Sequence, residues 1–419
     1  MTGVSEFDVL DPARLRALFD LTNRVYASRG GAFADDPYPA FHRLRETGPV
    51  HPGVVGPLVG FTDPGFFQGL PYPDRLHFSA FDWDTCDAVF RDGVTFVSRP
   101  PPEDGKTLMN ASILYMDGTE HRRYRGLVQP SFLPKRSSWW TERWVVASIE
   151  ALLDRLAPNG RGDLNVDFFA AIPLLTITGS FGVSVADALD IRAAVTSDGL
   201  GIETFMRILM PIVRARREEP HDDLISVLVQ AEMTEDDGTT HRLTDEDVLT
   251  FSFILLAAGS GTTWKQMGIT MLALLSHPQW LDAVKQDRAQ LRPVVEESLR
   301  WMPTDPMFSR FVDADTELAG VAVPEGAVMH MCLAAANRDP ARWDRPDEFD
   351  PSRPLQSHMG FGNGAHICLG MHVARAEIVT AIGSLLDRFP NLRLDADAES
   401  PRIVGMYERG PTSVPVRFD

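Results

Sequence analysis

The sequence predicts a mainly helical α+β protein. Two observations carry that prediction: three long stretches in the second half have helical spacing and clear boundary residues, whereas strand signals are few and short. A third is the lack of any internal repeat, low-complexity tract or Gly/Ser linker, which favours one domain over residues 1–419, with 1–35 as a less ordered N-terminal extension.

The longest helix is expected from about Leu243 to Ser276. Thr244 and Asp247 make a capping-box start and His277-Pro278 a stop. Such a helix would be about 50 Å long. A second follows Pro293 and ends near Trp301. A third starts at Cys368 and reaches Phe389, with Met371, Ala374, Ile378, Ile382, Leu385 and Phe389 recurring every three or four positions. Among strands, Val321 to Val323 and Val328 to Met331 flank Pro324-Glu325-Gly326 and predict a hairpin. Val414 to Phe418 alternates weakly and predicts a small closing sheet.

The chain has 419 residues, 44% hydrophobic and 23% charged, which is ordinary globular composition. The N-terminus is acidic and lacks the basic and apolar regions of an export signal. The longest apolar stretch, near Phe251 to Gly259, is too short for a membrane anchor, so a cytoplasmic location is expected. Three cysteines (Cys86, Cys332, Cys368) argue against a disulfide scaffold. A net charge of −18 disfavours nucleic acid as a partner.

The run from Phe361 to Gly370, Phe-Gly-Asn-Gly-Ala-His-Ile-Cys-Leu-Gly, carries the most chemistry. At the mouth of the third helix, unpaired N–H groups and the helix dipole favour a thiolate at Cys368. Gly362 and Gly364 let the loop turn tightly so that amides can reach the sulfur, and Gly370 lets the helix lie close to a flat group. Three other readings compete. A lone cysteine at a helix start is commonly a small buried hydrophobe. Gly360, Gly362 and Ala365 match a loose dinucleotide fingerprint, but Pro351 to Pro354 leads into it where an apolar strand is required. His366, Cys368 and His372 could ligate zinc, but that leaves the glycines without a role and no evident fourth ligand.

This run resembles the haem-binding signature of the cytochrome P450 family, Phe-x-x-Gly-x-x-x-Cys-x-Gly, with Phe361, Gly364, Cys368 and Gly370 at its fixed positions. The resemblance extends from about residue 35 to the C-terminus. It implies a triangular helical prism with a small β-rich side, haem b (iron protoporphyrin IX) as cofactor, and Cys368 as the axial ligand to the iron. Glu297-Ser298-Leu299-Arg300 is similar to the family's Glu-x-x-Arg pair, and Arg353 stands where the family completes a buried network. By itself such a pair at spacing three would be a surface ion pair of little consequence. His121-Arg122-Arg123-Tyr124-Arg125 resembles the helix holding the haem propionates, which implies His121 and Arg125 as partners, with Arg310 and His366 beside them.

Ala257 to Thr263 places Gly259 and Gly261 inside the predicted long helix, at roughly 1 kcal/mol each relative to alanine. The resemblance explains this as a groove for dioxygen at Gly259, with Thr262 as the proton-handling alcohol. The bland alternative is a threonine bonded back to the Ala258 carbonyl. The family usually has an acid before that threonine and this chain has Gly261, which opens two possibilities: water in the vacated space, or a peroxide-using enzyme.

The implied activity is insertion of one oxygen atom from O2 into a hydrophobic small molecule, by hydroxylation or oxidative dealkylation. The chain has no flavin or iron–sulfur module, so electrons are expected from a ferredoxin and an NAD(P)H-dependent ferredoxin reductase. Arg122, Arg123, Lys135 and Arg136 are candidates for the docking face. The substrate pocket implied by the resemblance draws on the Val97 to Met116 loop, Phe253 to Ala258, Pro303 to Phe308 and Val404 to Tyr407, with Leu255, Ala258, Thr304, Met307 and Met406 as lining residues. Asp305 is a candidate to face the pocket and bind a polar group, with a satisfied turn residue beside Pro306 as the favoured reading. A non-catalytic haem sensor is the remaining alternative.

Overall fold

The computed structural model describes residues 6–23, 26, 30–62, 72–101, 111–196, 201–235 and 237–418. The helices that position the site are α1 (Gly118–Val128), α2 (Ala171–Ser180), α3 (Val185–Thr196), α4 (Asp245–Gly261), α5 (Thr263–Ser276), α6 (Leu291–Trp301) and α7 (Met371–Arg388). The strands of the main sheet are β1 (Val50–Pro52), β2 (His77–Ala80), β3 (Phe96–Val97), β4 (Phe308–Val312) and β5 (Val328–Met331).

The capping box forms as the sequence predicts. The Thr244 hydroxyl accepts from the Asp247 N–H at 3.2 Å, and the Asp247 carboxylate accepts from the Thr244 N–H at 2.9 Å. The single long helix does not form. It is divided into α4 and α5 at Thr262, whose φ of −107° departs from the regular helical value while ψ stays at −46°. Gly259 and Gly261 loosen the backbone just before the break, and Thr262-Thr263 adds two β-branched residues there. Ser276 ends α5, with His277 as its C-cap, and Pro278 opens the next helix.

α2 is buried on nearly all sides and carries no charged residue, and its Thr176, Thr178 and Ser180 hydroxyls donate back to helix carbonyls. It packs with α3 against α4, while α5 packs against α6 and α7. The first 35 residues are more ordered than expected where described. Asp11 caps a helix at Pro12–Leu18, and Leu10, Leu15, Phe19 and Leu21 enter the main core. Phe19 meets Trp264 of α5 edge-on at 5.3 Å.

The main sheet runs β1-β2-β5-β4-β3. β5 pairs parallel with β2, His77 opposite Val328, and antiparallel with β4, Phe311 opposite Val328. The predicted hairpin is therefore incorrect. Val321–Val323 pairs instead with Thr316–Leu318, and the turn through Gly326 (φ 80°) delivers β5 into the sheet interior. All four β5 residues are buried, and an interior strand needs a neighbour on each edge. The C-terminal strand forms as expected: Pro415–Arg417 joins Arg161–Asp163 and Arg393–Leu394. Among the described residues no single helix is long and apolar enough to cross a membrane.

Candidate active site

The cysteine loop is shaped by close backbone contacts. Gly362 and Gly364 both have φ 69°, in the left-handed region. A Cβ on Gly364 would also run into the Phe90 carbonyl oxygen, so glycine is required there for two reasons. The Cys368 N–H donates to the Phe361 carbonyl at 2.9 Å, closing the loop. The predicted helix start shifts by three residues. Gly370 is the N-cap of α7 and Cys368 lies two residues before it, so Gly370 is not within the first helical turn. Among the described residues nothing lies within 4 Å of a Cβ built on Gly370, so its side-chain position is open there. The loop position alone does not favour a thiolate. Burial pushes the Cys368 thiol up from its ordinary value, against the opposing pull of the Gly370 N–H, Arg125 and Arg375.

Cys368 lines a cavity of about 320 Å³ that also takes in residues from α1, α2, α4, α5, β4 and α7. Four basic side chains line it: His121, Arg125, Arg310 and His366. His121 stacks on His366 with ring centroids 4.0 Å apart, and among the described residues its Nε2 is buried without a partner. Burial, His366 and Arg125 hold the His121 pKa down at about 4. Arg310 is 8% exposed and donates to the carbonyl of its neighbour Ser309. Burial lowers it to about 10, with Asp117 and Tyr115 countering. Arg125 donates to the Ile367 carbonyl at 2.7 Å, next to the cysteine. His366 reaches the Ser98 hydroxyl at 3.1 Å and Asp117 at 3.8 Å.

This donor set suits a flat group bearing carboxylates. A buried imidazole nitrogen without a partner, a buried arginine and an open glycine face beside a sulfur ligand are what haem with its propionates needs. A bound Fe(III) would reverse the pKa logic at Cys368 by holding the deprotonated sulfur.

Thr262 lines the cavity from the break between α4 and α5, and its hydroxyl donates to the Ala258 carbonyl at 3.3 Å. The back-bonded arrangement and the cavity-facing position therefore coexist. Gly259 also lines the cavity, but a Cβ there would meet Ile177 of α2 at 2.8 Å. The missing side chain lets the two helices approach at the cavity wall. Gly261 is not among the cavity-lining residues, and its Cβ position faces Arg192 of α3 at 3.5 Å. The space left by the absent acid is thus away from the cavity.

Of the expected substrate-lining residues, Leu255, Ala258 and Thr304 line the cavity. Met307 and Met406 do not. Both are buried in a separate cluster with Phe33, Phe41, Phe81 and Tyr407. Val404 enters the main core, so the Val404 to Tyr407 segment contributes none of the lining. Asp305 sits in the bend before Pro306 and also lines the cavity. From the Val97 to Met116 loop, Ile113 and Leu114 reach the cavity, and residues 102–110 lie outside the described residues.

The Glu297, Arg300 and Arg353 network is present and sits behind the loop. Glu297 takes Arg300 through two bonds of 2.7 Å, Arg353 at 3.1 Å and the Asp350 N–H at 2.9 Å. Arg300 then donates to the carbonyls of Asn337, Pro346 and Glu348. Asn337 adds a contact that sequence reasoning did not derive: its side chain accepts the Met359 N–H at 2.7 Å. Arg375 pairs with Glu296 at 2.6 and 2.8 Å and lies over the Phe361 ring. On the surface, Arg123 pairs with Glu235 and Arg136 lies within 4.0 Å of Asp222.

Glu377 was not anticipated. It lines the cavity from α7, and burial pushes its carboxyl up to about 8, with the Thr176 hydroxyl pulling the other way. The signal was an acid three residues after Ala374, on the apolar stripe of that helix. A carboxyl neutral in the fold but ionised near 4.5 when unfolded stabilises fully below that value, and the contribution is lost as pH rises toward about 8. Glu377→Gln should therefore lose less melting temperature than wild type between about pH 5 and about pH 8. Equal losses in the two proteins would show that Glu377 is not held neutral.

The family model described as Cytochrome P450 matches residues 202–403. The chain is similar to the cytochrome P450 monooxygenase PikC of Streptomyces venezuelae, with 32% identity over 418 residues, 93% of this chain and 92% of the relative. It is 33% identical to the mycinamicin IV hydroxylase/epoxidase of Micromonospora griseorubida, covering 80% of this chain and 87% of the relative. Among solved structures, CYP109E1 from Bacillus megaterium in complex with testosterone matches with a TM-score of 0.79 and 25% identity, over 92% of this chain and 100% of that chain.

Proposed function

The chain belongs to the cytochrome P450 family and is a haem-thiolate monooxygenase acting on a small molecule, and we propose that Cys368 is the axial thiolate of its haem iron. The observation that carries this reading is the convergence, on one cavity, of Cys368 with His121, Arg125, Arg310 and His366. The cofactor is haem b, and when bound it supplies activation of dioxygen for insertion of one oxygen atom, with two electrons and two protons.

The residues divide the remaining work. Arg125, Arg310, His121 and His366 hold the propionates through charge-assisted hydrogen bonds. Phe361, Gly362 and Gly370 make a face with room for the macrocycle, and Gly364 fixes the loop against Phe90. Ile113, Leu114, Ile177, Ile254, Leu255 and Phe308 form an apolar surface that binds a hydrophobic substrate and excludes water. Thr304 and Asp305 are the polar groups available to orient it. Thr262 passes protons at its Oγ, exchanging the long bond to Ala258 for one toward the substrate side.

Electrons come from a ferredoxin and its NAD(P)H-dependent reductase, the enzyme works in the cytoplasm, and residues 1–419 act as one domain. Peroxide-driven turnover and a non-catalytic haem sensor are less favoured, because the relatives carry the names of monooxygenases and hydroxylases.

Thr262 provides the test. With a hydrophobic compound that shifts the haem spectrum, Thr262→Ala should keep binding and spectrum but lose several-fold in product per NAD(P)H, the difference appearing as hydrogen peroxide. Unchanged coupling would remove Thr262 from proton transfer. Turnover supported only by added peroxide would replace the monooxygenase reading.

A further inference from the structure

Arg192, on α3, is a buried cation that meets no carboxylate among the described residues. It is 1% exposed. One terminal nitrogen donates to the Ser260 hydroxyl at 3.2 Å and the other to the Tyr26 hydroxyl at 2.7 Å. Among the described residues its Nε is buried without a partner, and its guanidinium lies 4.8 Å from the Phe19 ring centroid. Both hydrogen-bonding partners are neutral hydroxyls. The nearby Lys265, equally buried and 5.0 Å from the Tyr26 ring, differs in having its own acid, Glu408. A desolvated guanidinium without a counter-charge is costly, and arginine has no route to neutralise itself by losing a proton.

Beside this cation is an open position. Among the described residues, a Cβ built on Gly261 would meet only the Arg192 terminal nitrogen, at 3.5 Å, with no other heavy atom outside its own helix turn within 4 Å. The charge and the space adjoin, one residue before the helix break at Thr262.

We infer that Arg192 and the space at Gly261 form a binding site for a small monovalent oxyanion of formate or bicarbonate size. The planar fork of the guanidinium matches a carboxylate-like anion, and its free N–H groups are the donors. Gly261 is required because a larger residue would fill the position. The site is separate from the cavity containing Cys368, since neither Arg192 nor Gly261 lines it. It therefore does not depend on the reaction proposed there.

The test uses thermal unfolding of the haem-loaded protein, exhaustively dialysed into a zwitterionic buffer, with formate as probe and gluconate at equal ionic strength as control. The melting temperature of the wild type should rise saturably with formate and not with gluconate. Gly261→Asp places a carboxylate in the site, so it should melt higher than wild type without formate and lose the saturable response. A wild type that responds equally to both salts, or a Gly261→Asp that responds to formate as wild type does, overturns the inference. Should that variant not fold, wild-type crystals soaked in bromide decide. An anomalous peak at hydrogen-bond distance from Arg192 supports the site, and its absence contradicts it.

Discussion

Glu297→Ala is expected to yield little folded, haem-containing protein. The carboxylate is 5% exposed and holds two arginines, of which Arg300 is 1% exposed. Removing it leaves a buried guanidinium facing only backbone carbonyls, a change that costs about 3–5 kcal/mol. Against a total stability of about 5–15 kcal/mol for a typical domain, that is a third or more. It also frees the Asp350 N–H and Arg353, which anchor the segment leading to the cysteine loop. Haem content per protein and the denaturation midpoint measure the effect. Arg375→Ala is the control: it breaks a half-buried pair with Glu296 and should cost much less. Equal, near-native midpoints in both would contradict the assigned role of Glu297.

Cys368→Ala is expected to abolish turnover while leaving the fold in place. Its backbone supplies the loop-closing bond to Phe361, which alanine keeps, so only the sulfur is lost. The other cysteines provide the contrast. Cys86 is packed beneath the main sheet and burial pushes its thiol well above the ordinary value. Cys332 is pushed up to about 12 by burial in the cluster around Phe81. Neither lines the cavity, so serine at either position should retain activity. Product formed with a reductase system, alongside circular dichroism, separates lost chemistry from lost structure.

The parts of this molecule that were legible in the sequence are those where local rules act alone. The capping box at Thr244, the Pro-bounded α6 and the apolar stripe of α7 follow from residue spacing and formed within a few residues of their expected ends. The Glu297 network closes at the spacing the motif has in sequence, and Cys368 and Phe361 line one cavity. Features set by partners distant in sequence were not legible. The hairpin expected at Val321 to Met331 failed because β5 finds its neighbours at His77–Ala80 and Phe308–Val312. The continuous helix through Thr262 failed because helical spacing carries on across a break made by backbone freedom at Gly259 and Gly261. Met307 and Met406 were misplaced because irregular segments have no period from which to read a face. Gly259 shows the same limit: its role depends on Ile177, a residue of another helix. Glu377 was missed because an acid within an apolar stripe reads as an exception until its burial is known.

The most direct test of the central claim, that Cys368 holds the haem iron as a thiolate, is the absorption spectrum of the reduced protein under carbon monoxide. The account predicts the red-shifted Soret band of thiolate-ligated haem in the wild type and in Cys86→Ser and Cys332→Ser, and its loss in Cys368→His. A band that survives in Cys368→His, or disappears in either serine variant, would contradict it.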